Sequence, residues 1–402
     1  MSPATLVSSP AGIPLPIVGP SPEASLNASL NSDRSLTLVP VLHVINGEHF
    51  AGAERVQQVL GQHLSEFGYA GHFACLKPGK FLQHCGLPYE QLHLVPMRGR
   101  VDWQAIEAVQ QLATGLQSRL LHAHTPRAAL VTAFVAHRLQ IPWVYHVHSP
   151  TAHDSTRRWL NLINAWVERL AIASCDLMIT VSRSLRREML ERGVSPRRLV
   201  AIANGVANIE PIDIHSRQTS RQWRLGLIAL MRPRKGVEVA IDAVAELHRR
   251  GAPATLELIG PFETPEYERS IRARIAQHHL NDVVQCTGFS SNIPESLRSL
   301  DALLLPSLFG EGMPMVVLEA LSAGVPVVAS QVGGTAEVIR PGHEGYLTTP
   351  GCVIDLVAKL DLLMADRHRW GAISQAAVAR HRSRFSDVRM TSLVARAYDR
   401  LL

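Results

Sequence analysis

From Leu36 onward, short apolar runs alternate with longer amphipathic stretches. The runs "LTLVPVLHVI", "RLLHAH", "PWVYHVH", "DLMITV" and "RLVAIANG" read as strands. Between them, residues 53–67, 127–139, 155–173 and 183–192 carry apolar residues at helical spacing. Strands that are apolar on both faces and alternate with helices imply a parallel sheet covered on both sides. After a polar stretch broken by Pro211 the rhythm restarts. "WRLGLIAL", "ATLELIG", "VVQCTG", "ALLLPS" and "PVVAS" read as strands, and residues 237–250, 265–279 and 315–323 as helices. Two further helical stretches, 353–365 and 370–402, end the chain. The pattern predicts an α/β protein with two Rossmann-like, doubly wound parallel-sheet domains facing a central cleft. The expected boundaries are a disordered tail over 1–35, an N-terminal domain over 36–206 and a linker over 207–222. A second domain follows over 223–375, then a C-terminal helix over 376–402 that crosses back to the N-terminal domain.

A chain of 402 residues fits two domains of common size plus extra segments. No apolar run reaches the roughly 18 residues of a membrane helix. The first residues carry no basic segment, and prolines interrupt their apolar part, so they do not read as a signal peptide. Five scattered cysteines form no C-x-x-C pair, which argues against a disulfide framework or a zinc site and for a reducing cytoplasm. The net charge of +6 suits an anionic small substrate, an anionic membrane or nucleic acid. No run of five like charges occurs, nor a basic stretch interleaved with aromatics, so nucleic acid is not an expected partner.

Ligands of open parallel sheets bind outside the strand carboxyl ends. The loops to inspect are therefore 46–53, 122–126, 146–151, 204–206, 230–236, 260–262 and 307–314. The most informative lies in "PSLFGEGMPMVVLEALSAGVPVVASQVGG". Glu311 and Glu319 stand eight apart, one in a Gly-flanked loop and the other about one turn into the next helix. They can reach two parts of one extended ligand. Gly310 and Gly312 let backbone approach that ligand, and the N–H groups at the helix start suit a phosphate. Gly312 and Met313 join the expected nucleotide-binding set. Glu319 sits among apolar neighbours, and a half-buried carboxylate needs a partner, for which a ligand hydroxyl would serve.

In "MRPRKG", Arg232, Arg234 and Lys235 follow a strand and precede a helix. A departing diphosphate needs such cations, and Arg and Lys supply them without a metal. No D-x-D pair stands at a strand end. "INGEHFAGAER" offers Gly47, Gly52 and Ala53 in a turn where backbone amides can meet a phosphate, although it is not a G-x-G-x-x-G fingerprint. His122 and His124, and His146 and His148, end two strands. Each pair is expected to split across the two sheet faces, leaving one histidine of each to line the cleft and no metal site.

These residues resemble the retaining glycosyltransferases of family 4, which have the GT-B fold. The resemblance spans about residues 36–402. Its most specific part is "EGMPMVVLEALSAGVPVVASQVGGTAEVI", similar to the family's E-x7-E block. "ITVSRSLRREMLERGVSPRRLVAIANGV" resembles the segment before the interdomain linker, and "FAGAER" the first glycine loop. The resemblance implies that Glu311 contacts the donor sugar, Glu319 holds the ribose hydroxyls and Lys235 binds the diphosphate. It also implies that His148 faces donor sugar and acceptor, and that Gly52 lies near the phosphates. The anomeric configuration would be retained, and no metal or other cofactor would be needed beside the nucleotide-diphospho-sugar substrate. Two positions depart from the family pattern. Leu230 stands where an Arg is usual, and Ala207 follows "NGV" in place of Asp. Arg232 is expected to supply the missing cation, with Arg234 pointing away if the turn is extended.

The expected acceptor is a saccharide or lipid-linked saccharide of the cell envelope or of polysaccharide biosynthesis. That expectation rests on the family and on Arg157, Arg158, Trp159 and Trp166 around one helix. It places the protein in the cytoplasm, with a peripheral contact at the inner face of the membrane. Two alternatives share the architecture: a sugar-nucleotide epimerase, and a non-catalytic GT-B binding or scaffold protein.

Overall fold

The computed structural model describes residues 38–99, 102–149, 173–213, 222–252, 254–365 and 367–402. Residues 38–402 cluster as one unit. The expected tail, the expected helix with Arg157, Arg158, Trp159 and Trp166, and residues 214–221 of the expected linker lie outside the described residues.

Two parallel sheets organise the described chain. The first contains β1 (Val39–Ile45), β2 (Tyr69–Cys75), β3 (Leu92–Leu94), β4 (Leu120–Ala123), β5 (Trp143–Val147), β6 (Leu177–Thr180) and β7 (Leu199–Ala201). Their order is β3-β2-β1-β4-β5-β6-β7. The second contains β8 (Trp223–Ile228), β9 (Ala254–Ile259), β10 (Val284–Gly288), β11 (Ala302–Leu305), β12 (Val327–Ser330) and β13 (Gly345–Thr348), in the order β10-β9-β8-β11-β12-β13. The order reverses beside β1 in one sheet and beside β8 in the other. Loops leaving those strands therefore part to opposite sides and open a crevice, the usual ligand position in such sheets.

The strands form where the sequence is apolar on both faces. β4, β5 and β6 are buried at every position, as a sheet covered by helices requires. Among the covering helices are α1 (Gly52–His63), α2 (Trp103–Gly115), α3 (Pro126–Leu139) and α4 (Arg183–Glu191) in the first half. Side-chain caps set several starts: Asp102 accepts from the amides of Gln104 and Ala105, Thr125 from Ala128, and Ser182 from Leu185. In the second half, α5 (Val237–Arg249) and α6 (Pro265–Gln277) follow β8 and β9, and α7 (Met315–Ser322) follows β11.

The chain ends in α8 (Val353–Met364), α9 (Arg367–Arg384) and α10 (Asp387–Tyr398). The stretch expected as one helix over 370–402 is thus two. Ser386 is extended and its hydroxyl caps the amide of Arg389, so one helix stops and another starts. At this break Val206 exchanges backbone bonds with Phe385 and Asp387, at 2.9 and 3.1 Å. The last helix then reaches the first sheet. Tyr398 is fully buried with its hydroxyl 2.6 Å from His122 Nδ1, and Tyr69 donates to Asp399 at 2.5 Å.

Candidate active site

Glu311 sits in the loop between β11 and α7 and is almost fully buried. Lys235 Nζ donates to its Oε1 at 2.6 Å, and Ser307 Oγ donates to the same oxygen at 2.7 Å. Burial alone would push this carboxyl up. The Lys235 charge and the bonds from Lys235 and Ser307 outweigh it and hold the carboxyl below its ordinary value. Burial likewise lowers the Lys235 ammonium, against the pull of Glu311. The loop is clamped from behind: Gly333 has φ +48, and a Cβ there would stand 1.8 Å from the Glu311 carbonyl oxygen. Gly334 N donates to that oxygen at 3.0 Å. Gly312 needs its missing side chain for another reason, since a Cβ would lie 2.0 Å from the carbonyl oxygen of His148. The Glu loop of one half therefore rests directly on the β5 end of the other.

Glu319 is 3% exposed, between the fully buried Leu318 and Ala320. Its partner is the Arg55 guanidinium of α1, which crosses from the first half to form an ion pair. A residue that sequence reasoning passed over thus supplies what a ligand hydroxyl was expected to supply. The signal was present, because Arg55 closes the "FAGAER" motif on the first turn of α1. Gly52 faces Met315 in the same cross-cleft contact, with 3.5 Å between its would-be Cβ and Met315 Cγ. Met313 is buried, and its carbonyl accepts from Asn204 Nδ2 at 3.1 Å. Nearby, the carboxylate of Glu337 accepts from the amides of Arg183 and Ser184 at 2.8 and 2.7 Å. A carboxylate is favoured at that helix N-terminus.

The basic loop differs from expectation. Residues Pro233–Lys235 form a 3-10 turn rather than an extended segment. The turn brings Arg234 back toward the Glu loop, where its Nη1 donates to Gly310 O at 3.1 Å and lies 3.9 Å from Glu311 Oε1. Arg232 instead runs toward Glu263, with Nη1 3.5 Å from that carboxylate. Leu230 is 39% exposed. Lys235, Arg234 and Glu311 are therefore brought together, while Arg232 and Glu319 are engaged elsewhere.

The histidine expectation is corrected outright. Side chains at i and i+2 of a strand share a face. His122 and His124 stack at 4.2 Å between ring centroids, and His146 and His148 at 4.3 Å. His43 of β1 pairs with His122 across the sheet and joins the layer at 4.9 Å. All five rings lie together near the carboxyl ends of β1, β4 and β5. His148, half-buried, is the member nearest the Glu loop, and its Nε2 is 3.1 Å from His124 Nδ1. Burial pushes His148 down to about 3, so its ring is neutral and acts as a hydrogen-bonding group rather than a charge.

Two family models match this chain: Glycosyltransferase Family 4 over residues 50–207, and Glycosyl transferases group 1 over residues 213–380. The chain belongs to the family 4 glycosyltransferases. The alpha-D-kanosaminyltransferase of Streptomyces kanamyceticus is 28% identical over 61% of this chain and 68% of its own. The lipopolysaccharide core biosynthesis mannosyltransferase LpsB of Rhizobium meliloti is 31% identical over 44% of this chain and 52% of its own. The chain spans about half the length of several such relatives. Among solved structures, Anabaena HepE, determined with UDP and glucose, superposes with a TM-score of 0.76 at 23% identity. That match covers 90% of this chain and 100% of HepE. With the two parallel sheets it gives this family 4 protein the GT-B fold. Among the described residues, no helix is long and apolar enough to cross a membrane.

Proposed function

We propose that the protein transfers a sugar from a nucleotide-diphospho-sugar to a saccharide or lipid-linked saccharide of envelope or polysaccharide biosynthesis, with retention of configuration. The observation that carries this reading is the buried Lys235–Glu311 pair in the loop that abuts the β5 end of the opposite half. Its elements suit a sugar diphosphate. Glu311 is ionised and meets positive character at the sugar or its hydroxyls. Lys235 and Arg234 are cations beside it, and they oppose the negative charge that grows on the departing diphosphate. Glu319 holds the ribose hydroxyls once Arg55 releases it. Neutral His148 bonds to the sugar from the other half. The diphosphate needs no divalent metal in this scheme, because the basic loop supplies its counter-charge.

Relatives named for amylovoran biosynthesis, lipopolysaccharide core biosynthesis and kanosaminyl transfer support the class of reaction. HepE, crystallised with UDP-glucose, supports a nucleotide-sugar donor. The stereochemistry is tested by proton NMR of the first sugar released when α-configured UDP-, GDP- and ADP-sugars are turned over, with water as acceptor if need be. An α-anomer formed first agrees with retention, and a β-anomer formed first refutes it.

A further inference from the structure

Four buried imidazoles and the half-buried His148 in one layer are more than a sugar-facing histidine requires, and three of them meet the needs of a metal ion. His122 and His124 project from alternate positions of the β4 segment and share one face. His43 projects beside them from β1, in register with His122. Two nitrogens from one strand and a third from its neighbour can converge on one point above the sheet. One ring nitrogen from each of these three residues lies within 4.8 Å of the others. His43 Nδ1 and His124 Nε2 are 3.0 Å apart. Nitrogens about 2.0–2.1 Å from a shared ion stand at comparable separations.

The remaining ring atoms fit the same reading. His122 Nε2 is buried with no hydrogen-bond partner, so it is free to ligate. The opposite nitrogens of two rings are held as metal-bound histidines usually are: His122 Nδ1 by the Tyr398 hydroxyl at 2.6 Å, and His124 Nδ1 by His148 Nε2 at 3.1 Å. All three rings are buried, which disfavours their protonated form. Neutral imidazole is the ligating form.

We propose that His43, His122 and His124 form a three-histidine site for a divalent transition ion of the zinc class. Imidazole ligands suit Zn2+, Co2+ and Ni2+ over Mg2+ or Ca2+. The ion is held between β1 and β4 and serves the structure rather than the diphosphate. It fixes the tautomer of His124 and, through it, the hydrogen bond offered to His148. The last helix of the chain closes the site through Tyr398.

The test is metal content. The full chain is expressed with Zn2+ in the medium, desalted and measured by inductively coupled plasma mass spectrometry. We expect about one zinc per chain in the wild type, lost from His43→Phe and from His122→Asn. We expect Tyr398→Phe to weaken retention roughly 10- to 100-fold, as loss of such a partner does elsewhere. Absence of zinc from the folded wild type overturns the proposal, as does zinc retained in both histidine variants. Should the variants fail to fold, the wild-type protein charged with Co2+ decides. A visible spectrum of a tetrahedral, nitrogen-rich site, with imidazole scattering in X-ray absorption, agrees with the site. An octahedral, oxygen-rich spectrum, or no bound cobalt, overturns it.

Discussion

Arg55 and Glu319 join the two halves of the molecule through an ion pair whose carboxylate is almost fully buried. Arg55 is on the first turn of the first helix, and Glu319 is one turn into the helix that follows the Glu311 loop. A donor that uses Glu319 for its ribose must displace the guanidinium. Arg55→Ala leaves a buried carboxylate without its partner in the free protein, which favours any ligand that supplies hydroxyls. We expect nucleotide affinity to rise about tenfold, or roughly 1.4 kcal/mol, with a lower melting temperature for the free protein. Calorimetric titration checks this. If Arg55→Ala loses affinity as Glu319→Ala does, then Arg55 binds the donor instead of competing with it.

Lys235→Met should reverse the pH dependence that Glu311 contributes to stability. In the wild type the Glu311 carboxyl is held below its ordinary 4.5, so it takes up protons less readily folded than unfolded. Its contribution is complete above about pH 4.5 and is lost as pH falls through the folded value. Without Lys235, burial dominates and the carboxyl rises above 4.5. The contribution is then complete below 4.5 and is lost as pH rises through the new folded value. Breaking a buried pair in this way costs about 3–5 kcal/mol when the remaining charge stays ionised. Denaturant titrations of both proteins between pH 4 and 8 read the slope. Parallel profiles would mean that Lys235 does not set the state of Glu311.

The 3-10 turn assigns Arg234, rather than Arg232, to the diphosphate beside Lys235. Charge contacts that strengthen in the transition state are typically worth about 100- to 1,000-fold in rate. We expect losses of that order in kcat for Arg234→Ala and Lys235→Ala. Arg232→Ala, which releases only Glu263, should cost less than tenfold. Steady-state kinetics at saturating donor decide. A crippled Arg232→Ala beside a near-normal Arg234→Ala would restore the order expected from an extended loop.

Transfer should proceed at the same rate with or without added Mg2+ or Mn2+, and should survive brief exposure to EDTA. The cations of the basic loop carry the diphosphate charge in this account, and a buried histidine-bound ion exchanges slowly. Turnover abolished by EDTA and restored by Mg2+ or Mn2+ would place a metal on the diphosphate.

Much of this was legible in the sequence, for physical reasons. β4, β5 and β6 are largely apolar runs, interrupted only by His122, His146 and Thr180 and buried on both faces, as strands of a covered parallel sheet are. The Glu311 and Glu319 spacing gave a loop carboxylate and a helix carboxylate, as found. Other elements carried weak patterns. β2 opens with Tyr69, Ala70, Gly71 and His72 and lacks an unbroken apolar run, so it escaped notice, as did the three-residue edge strand β3. α2 and β13 were missed as well. The break at Ser386 is a capping event inside an amphipathic stretch whose period hardly changes. Arg55 stood in a visible motif, but its pairing was hidden because the partner lies 264 residues away. The histidines were visible, but their common face was misjudged, since alternate strand residues point the same way. The direction taken by Arg234 depended on a turn geometry that the residue types left open.

The most direct test of the central claim is calorimetric titration of UDP, GDP and ADP into the wild type, Glu319→Ala and Glu311→Ala. We predict that one nucleotide binds the wild type saturably, that Glu319→Ala loses most of that affinity, and that Glu311→Ala keeps it while donor turnover collapses. Binding of no nucleoside diphosphate to the folded wild type, or equal loss in both variants, would contradict the assignment of these two carboxylates to a nucleotide-sugar donor.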